Sequence, residues 1–262
     1  MNTVDDSMAP LFAVIGGTGL YGLQELANDY RIEVATPFGE PSCAIVVGRL
    51  AGKRLAFLAR HGESHSILPH RVNYRANLWA LHSLGVRRVI GVNAVGGIRG
   101  DMPPRTLVLP HQLIDYTHGR TSSFSDVDGA AVRHVDFSAP YTEAWRAQVA
   151  AAANSAGTEL IGEGTYGVTQ GPRLETVAEI ERMRRDGCDL VGMTGMPEAV
   201  LARELDLEYA SICLVANWAA GCGPEGEPPA AEISIAEIYA HLEHATAQVP
   251  PILQALGALA GE

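Results

Sequence analysis

The 262-residue sequence lacks any apolar run near the ~20 residues that a bilayer-spanning helix needs. Its opening, MNTVDDSMAP, is acidic and polar, not the basic and then apolar pattern of a secretory leader. Both absences point to a soluble, cytoplasmic protein. Positive charge is also scarce: 19 Lys and Arg stand against 30 Asp and Glu, a formal net charge of −11. A chain without a basic face is not a nucleic-acid binder, so any phosphate it holds must be held locally. Cysteine is sparse too, with Cys43, Cys188, Cys213 and Cys222 showing no CxxC spacing. They read as buried free thiols, with neither a metal site nor disulfides. There is no internal repeat and no low-complexity tail. What is present is a 47% hydrophobic chain, ample for a sizeable core. The expectation is a single α/β domain over residues 1–262, with residues 1–10 flexible.

The pattern along the chain is one of short apolar strands ending in small-residue loops. Leu11 to Ile15 reads as a strand that runs into GGTGLYG, where Gly17, Gly19 and Gly22 satisfy GxGxxG. The segment that follows, LQELANDYRIEVATPFGEPS, is too irregular for a dinucleotide fold. The loop therefore reads as a cradle for one phosphate, with the Thr18 hydroxyl as an extra donor. Cys43–Val47 and Arg54–Ala59 read as buried strands turning at Gly52 and Lys53, the second delivering Arg60 and His61 to a strand's carboxyl end, where open α/β sheets bind ligands. His70 to Leu84 has helical spacing with Gly85 as its stop. Arg88–Val92 is a strand emptying into a second small-residue loop, Asn93 to Gly97.

Thr106–Pro110 reads as a strand, and residues 111–141 as a long polar excursion carrying His134 and Asp136 near its end. Thr142 is placed to cap a helix containing Trp145 and Val149. After a strand over Gly164–Thr169 comes Gly171 to Glu198, a helix, a short strand and a second helix. Glu175 sits at the first helix start and Met193 to Glu198 at the second, with Pro197 suiting its first turn; backbone N–H groups at such starts can meet an anion. Glu208–Ala216 is the last strand and stops at Asn217. CGPEGEPP (222–229) reads as a lid or crossover, and the final helix carries Ile235, Ile238, Leu242 and Ala245 on one face. Alternating elements of this kind make a three-layer α/β domain whose sheet need not be all parallel.

Two stretches, GPRLETVAE (171–179) and GMTGMPE (192–198), resemble the signature of the trimeric purine nucleoside phosphorylase and methylthioadenosine phosphorylase family, and further matches run from Ile15 to about Ala240. The resemblance implies a twisted mixed β-sheet flanked by helices, a homotrimer with sites near subunit boundaries, and attack of inorganic phosphate on C1′ of a purine nucleoside without metal or organic cofactor. It implies phosphate ligands at Thr18, Arg60, His61, Asn93, Ala94 and Thr194. Asn93 replaces a Thr common in the methylthioadenosine branch. For the nucleoside it implies Leu174, Glu175, Met193, Asn217, Trp218 and Ala219, with His65, Pro69 and His134 bordering the ribose end. Catalysis then falls to His61 beside phosphate and to Glu175 and Asn217 at the base.

Base choice follows from three positions. The methylthioadenosine branch has Asp at position 217, a second Asp at 219 and a small hydroxyl residue at 175, whereas this chain has Asn217, Ala219 and Glu175. An ionised Glu175 accepts from N1–H of hypoxanthine but faces a lone pair at N1 of adenine, which predicts a 6-oxopurine. At the other end Ile235, with Ile233 and Ile238 nearby, stands where 6-oxopurine phosphorylases present a His to the 5′-hydroxyl. An apolar wall there favours a 5′-methylthio group. The expected reaction is phosphorolysis of 5′-methylthioinosine. A general inosine and guanosine phosphorylase, a methylthioadenosine phosphorylase, a nucleosidase using water and a non-catalytic dinucleotide-binding domain are the alternatives.

Overall fold

The computed structural model describes residues 10–17, 27–224 and 233–259. The expected flexible start through Ala9, Thr18 with the rest of its glycine loop, and residues 225–229 of the expected lid lie outside them.

The centre of the sheet is β1 (Phe12–Gly16), all five residues buried, pairing in parallel with β4 (Lys53–Ala59) on one side and β5 (Arg88–Gly97) on the other. Continuous apolar runs of this kind suit strands covered on both faces. β3 (Ile45–Leu50) and β4 form an antiparallel hairpin that turns at Ala51 and Gly52, both at positive φ. Outside it lies an unanticipated strand, β2 (Ala27–Ile32), antiparallel to β3 within the stretch expected to be irregular. Its sequence, ANDYRI, offers no apolar run to announce it.

The second correction concerns β5, which does not empty into a loop at Asn93 but continues to Gly97. It is paired along its length with β10 (Glu208–Trp218), and at Gly96 and Gly97 with β9 (Leu190–Gly192). A side chain at Gly97 would collide with the Met102 carbonyl, so glycine is what lets the strand carry on. β10 likewise runs past Ala216 to Trp218, with a register shift between Val215 and Asn217. The expected strand at Thr106–Pro110 shrinks to β6 (Leu107–Val108), beside β10, and the polar excursion opens with β7 (Gln112–Asp115), parallel to β8 (Thr165–Val168). β8 is in turn parallel to β9, so ten strands among the described residues form one mixed sheet in the order β2-β3-β4-β1-β5-β9-β8-β7, with β10 and β6 branching from β5.

Helices cover both faces. Leu78 and Leu81 of α1 (Tyr74–Ser83) and Leu201 of α4 (Glu198–Glu204) pack into one core with Ile15 and Leu58. Trp145 and Val149 of α2 (Glu143–Ser155), Leu242 and Ala245 of α5 (Ile235–Thr246) and Ile252 and Leu256 of α6 (Val249–Leu259) pack into the other with Phe12 and Val14. Thr142 stands at the start of α2, but its hydroxyl accepts from Tyr209 N–H (3.2 Å) instead of capping the helix. α3 (Val177–Arg185) begins with a reciprocal cap between Thr176 and Glu179, leaving Glu175 just outside its first turn. Pro197 occupies the N-cap of α4, one residue ahead of its first turn. No helix among the described residues is long and apolar enough to cross a membrane.

Candidate active site

Strand ends deliver the site. After β1 a side chain at Gly17 would stand 2.9 Å from the Val92 carbonyl and 3.1 Å from Arg60 Nη1, so glycine here lets the Arg60 guanidinium lie against the chain. β4 hands over Arg60 and His61. Arg60 has no solvent-accessible surface. Nε and Nη2 donate to the two carboxylate oxygens of Glu198 (2.7 and 2.8 Å), Nη2 also to Ile15 O (3.3 Å) and Nη1 to Val92 O (2.9 Å). Of a guanidinium's five N–H groups, one on Nη1 is not taken up by these bonds. Burial works against the charge, but the attraction and hydrogen bonds of Glu198 outweigh it and hold the pKa of Arg60 above its ordinary value.

His61 is 6% exposed, and its Nδ1 lies 2.8 Å from the Ile67 carbonyl, to which a neutral ring donates. Burial first, and the Arg60 charge second, depress its pKa to about 4. A neutral ring of this kind keeps its lone pair on Nε2, and a neighbouring anion would favour its protonation. The His65 ring stands edge-on to it at 4.9 Å, its own pKa lowered by burial.

These groups share a cavity of about 340 Å³, in the range of small-ligand sites, with Ala94, Thr194, Met193, Leu174, Glu175, Asn217, Ala219 and Pro69. Glu175 Oε1 accepts from the Thr169 hydroxyl (2.6 Å). Its pKa is raised by burial, against the opposing pull of that hydrogen bond. Asn217 Nδ2 donates to the Trp218 carbonyl (2.5 Å), which leaves its second N–H and its carbonyl oxygen for a ligand. Ile233 and Ile238 close the apolar part of the wall.

Four expected residues are not brought to the cavity. Asn93, expected as a direct phosphate ligand, is 1% exposed and meets the site only through Thr194, whose hydroxyl donates to its Oδ1 (2.7 Å). Ile235 is 57% exposed: it has the phase of Leu242, but it lies in the first turn of α5, well ahead of His241, which contacts the Ala216 carbonyl near the end of β10. Of the three isoleucines, Ile233 and Ile238 line the cavity. Trp218 packs instead with Ile180 and Met183, and His134 is exposed on the long excursion.

Two residues that sequence reasoning missed hold the site together. Glu198 was visible only as the last letter of GMTGMPE. Arg120, within the polar excursion, donates to the Met193, Met196, Thr169 and Gln170 carbonyls, tying the loop after β9 to the loop after β8. No sequence signal marked it. Among the described residues no group of three or more His, Cys, Asp or Glu side chains gathers as a metal site would.

The cavity thus offers an arginine and a histidine, a carboxylate and an amide, all at the strand ends of a mixed α/β sheet. The family described as the Phosphorylase superfamily matches residues 11–256, and the chain belongs to it. It is 56% identical over 241 residues to a probable S-methyl-5′-thioinosine phosphorylase of Xanthomonas campestris, covering 92% of this chain and 94% of that one. It is 46% identical over 218 residues to the 6-oxopurine nucleoside phosphorylase of Pyrococcus furiosus, covering 81% of each. Among solved structures, a methylthioadenosine phosphorylase from an antarctic soil metagenomic library superposes with a TM-score of 0.87 at 36% identity, over 96% of this chain and 86% of that one.

Proposed function

We propose that this pentosyltransferase cleaves S-methyl-5′-thioinosine with inorganic phosphate, yielding hypoxanthine and 5-methylthioribose 1-phosphate for salvage. The observation that carries the reading is that Glu175 and Asn217 open onto one cavity with Arg60, His61 and Thr194, while Ile233 and Ile238 add apolar wall to it, which suits a 5′-methylthio group better than a 5′-hydroxyl. The relatives named for methylthioinosine, at the identities given above, support it.

Phosphate, held by the free Arg60 N–H, His61, Thr194 and the chain around Ala94, with Thr18 as a further ligand, attacks C1′ as the bond to N9 breaks. Positive charge grows on the ribose beside the anion, and the bonding electrons leave with the purine. Asn217 donates to N7 or O6 as that negative charge develops, and Glu175 accepts from N1–H. Contacts that strengthen along this path lower the barrier. No metal or organic cofactor enters the scheme.

The same reading takes the active form as a cytoplasmic homotrimer. What supports the trimer is the resemblance of the signature stretches, together with His134, which borders the site in that family yet lies away from the cavity of its own chain. Light scattering of the purified protein tests it. The reaction is tested by incubating a panel of nucleosides with and without phosphate and identifying the released base. Methylthioinosine should be the best substrate and turnover should need phosphate or arsenate; equal use of inosine would return the chain to the general 6-oxopurine phosphorylases.

A further inference from the structure

Behind Thr194 runs a line of buried polar groups that no step above uses. The Thr194 hydroxyl donates to Asn93 Oδ1 (2.7 Å), Asn93 Nδ2 donates to Ser211 Oγ (2.6 Å), and Ser211 Oγ lies 3.4 Å from Cys213 Sγ. Ser211 and Cys213 are wholly buried in β10, Asn93 is 1% exposed in the adjacent β5, and only Thr194 lines the cavity. In this arrangement the Thr194 proton points away from the cavity and its lone pairs remain, the wrong polarity for an anion.

The line has a second arrangement with the same atoms. If the Asn93 amide is turned over, Nδ2 donates to Thr194 Oγ1, the Ser211 hydroxyl donates to Oδ1, and the Cys213 thiol donates to Ser211. The thiol, its pKa pushed up to about 12 by burial, keeps its proton for this. Every hydroxyl in the line both donates and accepts, and an amide presents its two ends at the same places, so both arrangements keep the buried groups paired. An anion in the cavity prefers the second, which frees the Thr194 proton to face it.

We propose that Asn93 and Ser211 are positioning residues for the phosphate, acting only through Thr194: together they fix its rotamer, and reversal of the Asn93 amide turns its hydroxyl from donating inward to donating to the anion. The proposal rests on the phosphorylase reading. It explains why an asparagine serves where a direct ligand was expected.

The test is a double-mutant cycle on phosphate KM, with nucleoside KM measured alongside. Ser211→Ala should raise phosphate KM roughly three- to tenfold, the scale of one charge-assisted hydrogen bond partly lost, and leave nucleoside KM within twofold. Ser211→Cys, nearly isosteric and a weaker hydrogen-bonding group, should give a smaller shift in the same direction and guards against a misfolded Ala variant. In a Thr194→Val background neither substitution should shift phosphate KM further. An equal shift in both backgrounds, parallel rises in both KM values, or wild-type phosphate KM in the Ser211 variants would each overturn the proposal. Base release by the wild-type protein without phosphate would instead overturn the reaction itself, so the two failures are separable.

Discussion

Arg60 and Glu198 close a two-point ion pair, 2.7 and 2.8 Å across its two bonds, in which neither side chain has any exposed surface. The Tyr209 hydroxyl adds a third bond to Glu198 Oε1 (2.7 Å), and a side chain at Gly91 would run into that hydroxyl. The arginine is thus a structural member of the core as well as a proposed phosphate ligand. Arg60→Ala should therefore do two things. It should remove phosphate binding, and by leaving a buried carboxylate unpaired it should cost about 3–5 kcal/mol of stability. Arg60→Met with Glu198→Leu should recover much of the stability without recovering phosphate dependence. Urea unfolding and phosphate KM on the same preparations separate the two effects; a single Arg60→Ala variant as stable as wild type would show that the pair is not closed in solution.

The difference between what was legible in the chain and what was not follows the same division. Buried strands announced themselves as apolar runs, and Arg60, His61, Glu175, Thr194 and Asn217 could be placed because they abut such runs or carry the signature stretches. Residues whose task is to hold another residue left no mark. Glu198 matters only because of Arg60, Thr169 because of Glu175, and Arg120 because two distant loops happen to bring four carbonyls to it. Local spacing could not reveal partners that lie far away in sequence. The polar edge strand β2 and the extension of β5 were missed for a related reason: pairing with neighbours, not side-chain pattern, makes them strands. Ile235 shows the converse, a residue with the right helical phase that sits one turn too far along the axis to use it.

Because burial and Arg60 depress His61, the folded protein releases a proton that the unfolded chain holds between about pH 6.5 and about pH 4. Stability linked to His61 is thus present above about pH 6.5 and is lost as pH falls through about 4, a total of about 3 kcal/mol. His61→Gln should flatten this part of the stability profile. The check is the urea midpoint of both proteins from pH 7.5 down to 4.5; parallel curves would mean that His61 titrates normally.

Ile238 tests the apolar wall. Methylthioinosine should exceed inosine in kcat/KM by roughly 10–200-fold, the range expected when a hydrophobic surface discriminates one small apolar group. Ile238→Asn should narrow that gap mainly by lowering kcat/KM for the methylthio substrate. Measured on both nucleosides at saturating phosphate, an unchanged ratio would place the 5′-group elsewhere in the cavity.

Base choice gives the sharpest test. The Glu175 carboxylate accepts from the Thr169 hydroxyl at Oε1, in a setting where burial raises its pKa. Ionised, it can accept from N1–H of a 6-oxopurine; against adenine it meets a lone pair, and a carboxylate oxygen stripped of water without gaining a donor is costly, so methylthioadenosine should be poorer by about a hundredfold or more. Glu175→Gln should cut activity on methylthioinosine sharply, since a neutral amide is a weaker acceptor. The pH dependence carries the sign of the shift: kcat/KM should fall on the acid side as Glu175 gains its proton, at a pH above that of an ordinary glutamate. Thr169→Val removes the side-chain hydrogen bond that favours the charged form, so its acid limb should move further towards neutrality, while activity on the alkaline side of that limb is largely kept. The measurements are kcat/KM for both methylthio nucleosides at one phosphate concentration, and pH profiles of wild type and Thr169→Val. If methylthioadenosine equals methylthioinosine, Glu175 does not read N1; if the acid limb stays in place without the Thr169 hydroxyl, that limb belongs to another group.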